Sequence, residues 1–131
     1  MFSYRHAFHA GNHADVLKHV IALAAIEYLT SKGAPLMVID THAGAGFYAL
    51  DSGYALHSAE AGTGIPKLWN IAQLPSLVHR YIQTIREFNL KHGSETLKFY
   101  PGSPLLLFKA LRGEDKLRLF ELHPADHAIL A

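Results

Sequence analysis

Leu36-Met-Val-Ile-Asp40-Thr-His-Ala-Gly44-Ala-Gly46 is the stretch whose reading decides the fold. Its first four residues are apolar and the fifth is an acid. That is the pattern of a short strand covered on both faces, as in the centre of a parallel sheet. A Gly-x-Gly turn follows the acid, and glycine permits both a positive φ and close backbone approach to a ligand. In open α/β sheets such turns sit at the carboxyl end of the strands, where ligands bind. A dinucleotide fingerprint asks for G-x-G-x-x-G, and the third position here is Ala49. By itself the turn is equally an ordinary strand-to-loop connection, because Gly-rich loops are common.

Upstream of this strand, residues 1–11 read as an irregular arm rich in aromatics and His. Asn12 is suited to cap a helix, with Asp15 at the favourable end of the helix dipole. The periodicity predicts a helix from His13 to about Ser31, with Leu17, Val20, Ile21, Ala24, Ala25 and Tyr28 towards the core. Lys32-Gly33 and Pro35 stop it.

Downstream, Ile65 to Trp69 and Ser76 to Leu90 read as helices, with Pro75 near a first turn. Leu77, Val78, Tyr81, Ile82, Ile85 and Phe88 form the apolar stripe of the second. Ser103-Pro104 is a helix start, cap then first helical position, of a helix running to about Arg112. Leu117-Arg-Leu-Phe-Glu121 reads as a second strand ending in an acid, and His123-Pro-Ala-Asp opens a further helix. A third strand is marked only weakly, near Leu97 to Tyr100. So few strands leave the apolar faces of their helices uncovered. The chain therefore either pairs with something else or belongs to a larger domain.

The composition narrows the class. The chain has 131 residues, a formal charge of +1 and an apolar fraction of 50%, enough to fill one core. Without cysteine it can form no disulfide, Fe–S cluster, Cys-ligated zinc site or thiol nucleophile. The N-terminus lacks the basic-then-apolar order of a signal peptide. The helical apolar run Val20 to Ile26 is far shorter than the roughly 20 residues that span a bilayer. A soluble, cytoplasmic protein is expected. The near-neutral charge argues against a strongly basic nucleic-acid-binding domain, though not against a local patch. The unusual count is ten His, with His6, His9, His13, His19, His42 and His57 towards the N-terminal side.

Three further constellations could carry chemistry. Glu121 closes the second strand, and an ionised carboxylate there can accept from both hydroxyls of a ribose. It lies 75 residues after Gly46, against a usual spacing of about 20, which implies an insertion of about 55 residues. Residues 51–95 have their own helical pattern and fit that insertion. Tyr4, Arg5, His6, His9, Asn12, His13, Lys18 and His19 form the second constellation, an arm suited to stacking and to anionic groups. His9 and His13 stand four apart, but the chain before Asn12 does not read as helix and no H-E-x-x-H occurs, so no metal is expected. The third is Tyr100-Pro-Gly-Ser-Pro104, where a cap and a free helix N-terminus suit a carboxylate or phosphate, or simply begin a helix. Trp69 and Phe88 read as core residues, and His79, His92 and His127 as surface or packing residues.

Taken together, four blocks carry a resemblance. They are Ser3-Tyr-Arg-His-Ala-Phe-His-Ala-Gly-Asn-His-Ala-Asp-Val-Leu-Lys-His19, Asp40-Thr-His-Ala-Gly-Ala-Gly46, Tyr100-Pro-Gly-Ser-Pro104 and Glu121-Leu-His-Pro124. In this order they closely resemble the bacterial 23S ribosomal RNA adenine-N6 methyltransferases, a family with an older label as proteins involved in catabolism of external DNA. The resemblance implies an α/β fold: part of a Rossmann-like class I S-adenosylmethionine-dependent methyltransferase with a helical insertion after the first strand. Residues 1–50 would hold the tail, first helix, first strand and Gly loop. Residues 51–95 would be the insertion, and 96–131 the continuation of the Rossmann-like domain. Carried over by motif, His19, His42, Gly44, Ser103 and Glu121 would bind S-adenosylmethionine, with Glu121 on its ribose. Tyr4 would meet the RNA, and His6 and Lys18 would help to position the substrate or the cofactor carboxylate.

One departure is decisive for chemistry. Adenine-N6 methyltransferases hold the exocyclic amine and stack the extruded base with an Asp-Pro-Pro-Tyr type motif. All six prolines here are isolated, so no residue of this chain can be assigned that catalytic role. The resemblance implies the N-terminal part of the enzyme, inactive by itself, which acts on 23S rRNA without a metal and needs the C-terminal part of the same protein. A non-catalytic nucleic-acid-binding protein linked to uptake or catabolism of external DNA is the alternative from a different class. A His-dependent metallohydrolase is the third.

Overall fold

The computed structural model describes residues 6–50 and 63–131. Tyr4, Arg5 and His57 lie outside them, as does the start of the stretch read as an insertion. After a short 3-10 turn at His6–Phe8, helix α1 spans His13–Thr30. Its start is as expected: the Asn12 side chain accepts from the Asp15 N–H at 2.8 Å, satisfying one of the orphan donors of the first turn.

Strand β1 (Met37–Asp40) follows, then β2 (Phe47–Ala49). Helices α2 (Ile65–Leu68) and α3 (Ser76–Lys91) come next, then strand β3 (Phe99–Pro101) and helix α4 (Ser103–Ala110). Strand β4 (Lys116–Leu119) and helix α5 (Pro124–Leu130) complete the order. β1 and β4 pair in parallel, with Val38 opposite Leu117 and Asp40 opposite Leu119. β2 and β3 form a separate antiparallel pair, with Tyr48 opposite Tyr100. The architecture is thus mixed α/β with a small parallel sheet, as the sequence suggests. β2 has no counterpart among the expected elements. Three residues directly after a Gly-rich turn carry too little periodicity to be seen.

One buried cluster joins the arm, the helices and the antiparallel pair: Ala10, Val16, Ile65, Tyr81, Ile85 and Tyr100 are among its members. α3 packs on α1 and β3, and α4 packs on α1 and β4. Asn89 of α3 is completely buried and fully used. Its amide nitrogen donates to the Ile85 and Phe99 carbonyls, and its oxygen accepts from the Lys98 and Phe99 N–H groups at 3.0 and 2.8 Å. This stitches α3 to β3.

The structure corrects several readings. On α1, Leu17, Ile21 and Tyr28 are exposed, and the buried residues are Asp15, Val16, His19 and Ile26. The helix is apolar around much of its girth, and the face that enters the core is the one carrying an acid and an imidazole. On α3, Tyr81, Ile82 and Ile85 are buried as expected, but Leu77 at the first turn is exposed. β1 is parallel, yet covered on one face only. Met37 and Ile39 are 59% and 56% exposed, because no layer of the described residues lies on their side. α4 ends at Ala110 rather than near Arg112. The Arg112 guanidinium reaches Asp115 and the Thr30 and Ala34 carbonyls instead, tying the end of α1 to the start of β4.

Candidate functional site

The parallel pair places two acids side by side at its carboxyl end. Asp40 is the last residue of β1, and Glu121 lies two residues beyond β4. The ladder continues past the strands, with Phe120 N–H donating to the Asp40 carbonyl and Ala43 N–H to the Phe120 carbonyl. The Gly loop is therefore held over the end of β4. Gly44 N–H donates to one Glu121 carboxylate oxygen at 2.7 Å, and His123 N–H donates to the other at 2.7 Å. Glu121 is thus aimed by backbone on both sides and retains free lone pairs, as an acceptor of two hydroxyls requires.

Gly44 has φ +67, a conformation costly for other residues, and a Cβ there would overlap the Tyr48 hydroxyl. That hydroxyl accepts from the Ala45 N–H at 3.0 Å, and burial holds its pKa above the ordinary tyrosine value. Gly102 N–H donates to the Gly46 carbonyl at 2.8 Å, so the Gly loop and the Tyr100-Pro-Gly-Ser-Pro104 turn meet backbone to backbone.

Ser103 does not cap its helix. Gly102 occupies the cap position, and Ser103 is the first helical residue. Its hydroxyl donates to the Asp40 carboxylate at 2.5 Å, whose other oxygen accepts from the His42 N–H at 3.2 Å. With Gly102 at the cap position, the Ser103 hydroxyl is left to donate to the carboxylate at the strand end.

A cavity of about 440 Å³ lies beside this end of β1. Its polar lining is Lys18, His19, Asp40, Thr41, His42 and Ser103, with apolar walls from α1, β1 and Leu107. Volume and mixed lining suit a small organic ligand. Lys18, His19, His42 and Ser103 are thereby brought to one cavity. Gly44 and Glu121 meet each other at the neighbouring strand end, outside that lining. His6 lies in a second cavity of about 290 Å³ with His9, Asn12, Asp15 and Lys18. Among the described residues, only Lys18 lines both.

His19 is 1% exposed. Burial pushes its imidazole down to about 4 against the opposing pull of the Asp15 carboxylate, so the ring is neutral at physiological pH. Its Nε2 lies 3.5 Å from Asp15 Oδ1. That carboxylate favours the proton on Nε2, leaving Nδ1 to accept from one of the two hydroxyls near it, Tyr100 at 2.9 Å or Tyr81 at 3.1 Å, while the other donates to its fellow across 2.7 Å. Asp15 itself and the Tyr81–Tyr100 pair were not among the expected site residues. In sequence, Asp15 is an acid in a first helical turn, Tyr81 a member of an apolar stripe and Tyr100 the first residue of the Tyr100-Pro-Gly-Ser-Pro104 turn. Of the two histidines set four apart, His13 meets the Thr63 hydroxyl through Nδ1 at 3.2 Å, and among the described residues no group of three potential metal ligands occurs.

Comparison with known proteins places this chain in a family. The family model described as "Ribosomal RNA large subunit methyltransferase D, RlmJ" matches residues 33–131. Two curated proteins named "Ribosomal RNA large subunit methyltransferase J" are similar over 99% of the chain. The one from Escherichia coli K12 is 48% identical and the one from Haemophilus influenzae Rd is 43% identical. The chain spans 45% and 46% of their lengths, respectively. A crystal structure of a Legionella pneumophila protein matches 93% of this chain and 43% of its own, with a TM-score of 0.82 and 41% identity. The chain belongs to the RlmJ family of large-subunit ribosomal RNA methyltransferases.

Proposed function

We propose that the protein carrying this chain transfers a methyl group from S-adenosylmethionine to the N6 amine of an adenine in 23S rRNA, in the cytoplasm. The observation that carries this reading is the convergence of four polar groups expected from the motifs on one end of the parallel pair. His19, His42 and Ser103 line one cavity there, and Glu121 is fixed by two backbone N–H groups at the adjoining strand end.

These residues suit that cofactor. Glu121 would accept from the ribose hydroxyls. Gly44 gives close backbone approach at a positive φ. His19, buried and neutral, adds no like charge to a cationic sulfonium. Lys18, half-exposed beside the same cavity, offers a cation for the carboxylate of the amino-acid end. S-adenosylmethionine supplies an electrophilic methyl group, and the work of the chain is positioning and local electrostatics. The arm containing Tyr4 and His6 would meet the RNA.

The described residues include no group that could accept from the adenine amine in an Asp-Pro-Pro-Tyr arrangement, since the sequence has no Pro-Pro. The proposed enzyme therefore needs its C-terminal part, with residues 51–95 an insertion between the Gly loop and the Glu121 strand.

The test is calorimetry with S-adenosylhomocysteine on the full gene product, together with nucleoside mass spectrometry of treated 23S rRNA. Binding is expected, weakened about tenfold or more by Glu121→Ala, and N6-methyladenosine is expected to appear. No heat with the unaltered protein would overturn the reading. Methylation by the 131-residue chain alone would overturn the claim that it is incomplete.

A further inference from the structure

Asp15 is a buried carboxylate that the proposed chemistry does not use. Its side chain is 1% exposed, on the first turn of α1. A lone buried anion costs several kcal/mol, so its surroundings must compensate it. They do so from two directions. Oδ2 accepts from the Gly11 N–H at 3.0 Å, which anchors the end of the arm. Oδ1 lies 3.1 Å from His6 Nε2, 3.3 Å from Lys18 Nζ and 3.5 Å from His19 Nε2.

The nitrogens around Oδ1 come from different parts of the proposed site. His6 belongs to the arm and to the smaller cavity. His19 belongs to the larger cavity, and Lys18 lines both. The carboxylate thus lines the smaller cavity and touches two residues, Lys18 and His19, that line the larger one. His19 also meets two tyrosine hydroxyls and feels the Asp40 carboxylate across the larger cavity, but Asp15 is the carboxylate that lies within 3.5 Å of all three nitrogens.

We propose that Asp15 is a positioning residue: its carboxylate ties the N-terminal arm to the cofactor cavity by holding His6, Lys18 and His19 around one oxygen. This rests on the proposed methyltransferase reading for its consequence in activity, but not for its consequence in structure. Without the anion, the arm loses its anchor at Gly11 and His6, and Lys18 loses the partner that sets its place between the cavities.

Asp15→Asn keeps the shape and removes the charge. In the full gene product it is expected to lower kcat/KM for 23S rRNA tenfold or more and to raise the Kd for S-adenosylhomocysteine, whose carboxylate Lys18 would meet. Combined with Lys18→Met, the losses should not multiply, because Asp15 acts through that lysine. Amide exchange over residues 6–12 should quicken tenfold or more, with exchange across Tyr81–Asn89 unchanged. A kcat/KM within twofold of the unaltered protein, multiplying losses, or unchanged exchange over residues 6–12 would overturn the proposal.

If the unaltered protein transfers no methyl group, the functional reading fails, and the exchange measurement alone decides the role of Asp15. If Asp15→Asn does not fold, His6→Gln is the second variant. It leaves the carboxylate in place, and it should still quicken exchange over residues 6–12; unchanged exchange would count against the proposal.

Discussion

His19 shows how burial sets the behaviour of one group. Its imidazole is neutral in the fold down to about pH 4, whereas in the unfolded chain it titrates near 6.5. Above pH 6.5 both states are neutral and the group has no effect on stability. Between 6.5 and 4 the unfolded state binds the extra proton, so stability falls as pH falls, by roughly 3 kcal/mol across the window. Chemical denaturation at pH 7 and pH 4.5 should show most of this loss, and His19→Gln should flatten it. Asp15 acts in a separate window. Burial tends to raise its carboxyl, but the contact with His6 and the Gly11 N–H leave it well below the usual carboxylate range. Its contribution is present above pH 4 and is lost as pH falls further. Gly44→Ala tests the Gly loop. The positive φ and the overlap with the Tyr48 hydroxyl should cost about 1–3 kcal/mol in thermal unfolding and displace the amide that aims Glu121.

Among the elements, α3 and β3 depend on Asn89. Asn89→Ala leaves the Lys98 and Phe99 N–H groups and the Phe99 carbonyl without this partner, at a cost of about 3 kcal/mol in urea denaturation. The same change at Asn12 removes the cap of α1, a loss worth about 1 kcal/mol. The contrast also marks what could be read in advance. Asn12 is legible because a cap is a local signal, three residues from the amide that it accepts. Asn89 is a polar residue in an apolar helix, and its partners become visible only once the chain has returned as β3.

For the molecule as a whole, the notable feature is uncovered apolar surface. Met37 and Ile39 are exposed on the outer face of β1, Phe120 and Leu122 near the end of β4, and Leu17, Ile21 and Tyr28 along α1. Apolar surface of this extent drives association. The 131-residue chain by itself is expected to sediment as more than a monomer, and a clean monomer in velocity sedimentation at NMR concentrations would contradict this. The expectation agrees with a chain that spans less than half of its curated relatives.

Local chemistry determined much of this protein from its sequence alone. The capped first helix, the strand Met37–Asp40, the Gly turn after it and the helix opening at Ser103 all rest on neighbours within a few residues. The four blocks were likewise enough to indicate the family that the comparisons show. Only the tertiary structure decided which face of α1 is buried, that Ser103 turns to Asp40 instead of capping its helix, and that Asp15 gathers His6, Lys18 and His19 beside the smaller cavity. α1 offers apolar residues on several sides, and periodicity cannot choose between them. The choice falls to a buried carboxylate whose partners at Gly11, His6, Lys18 and His19 offset the cost of removing it from water.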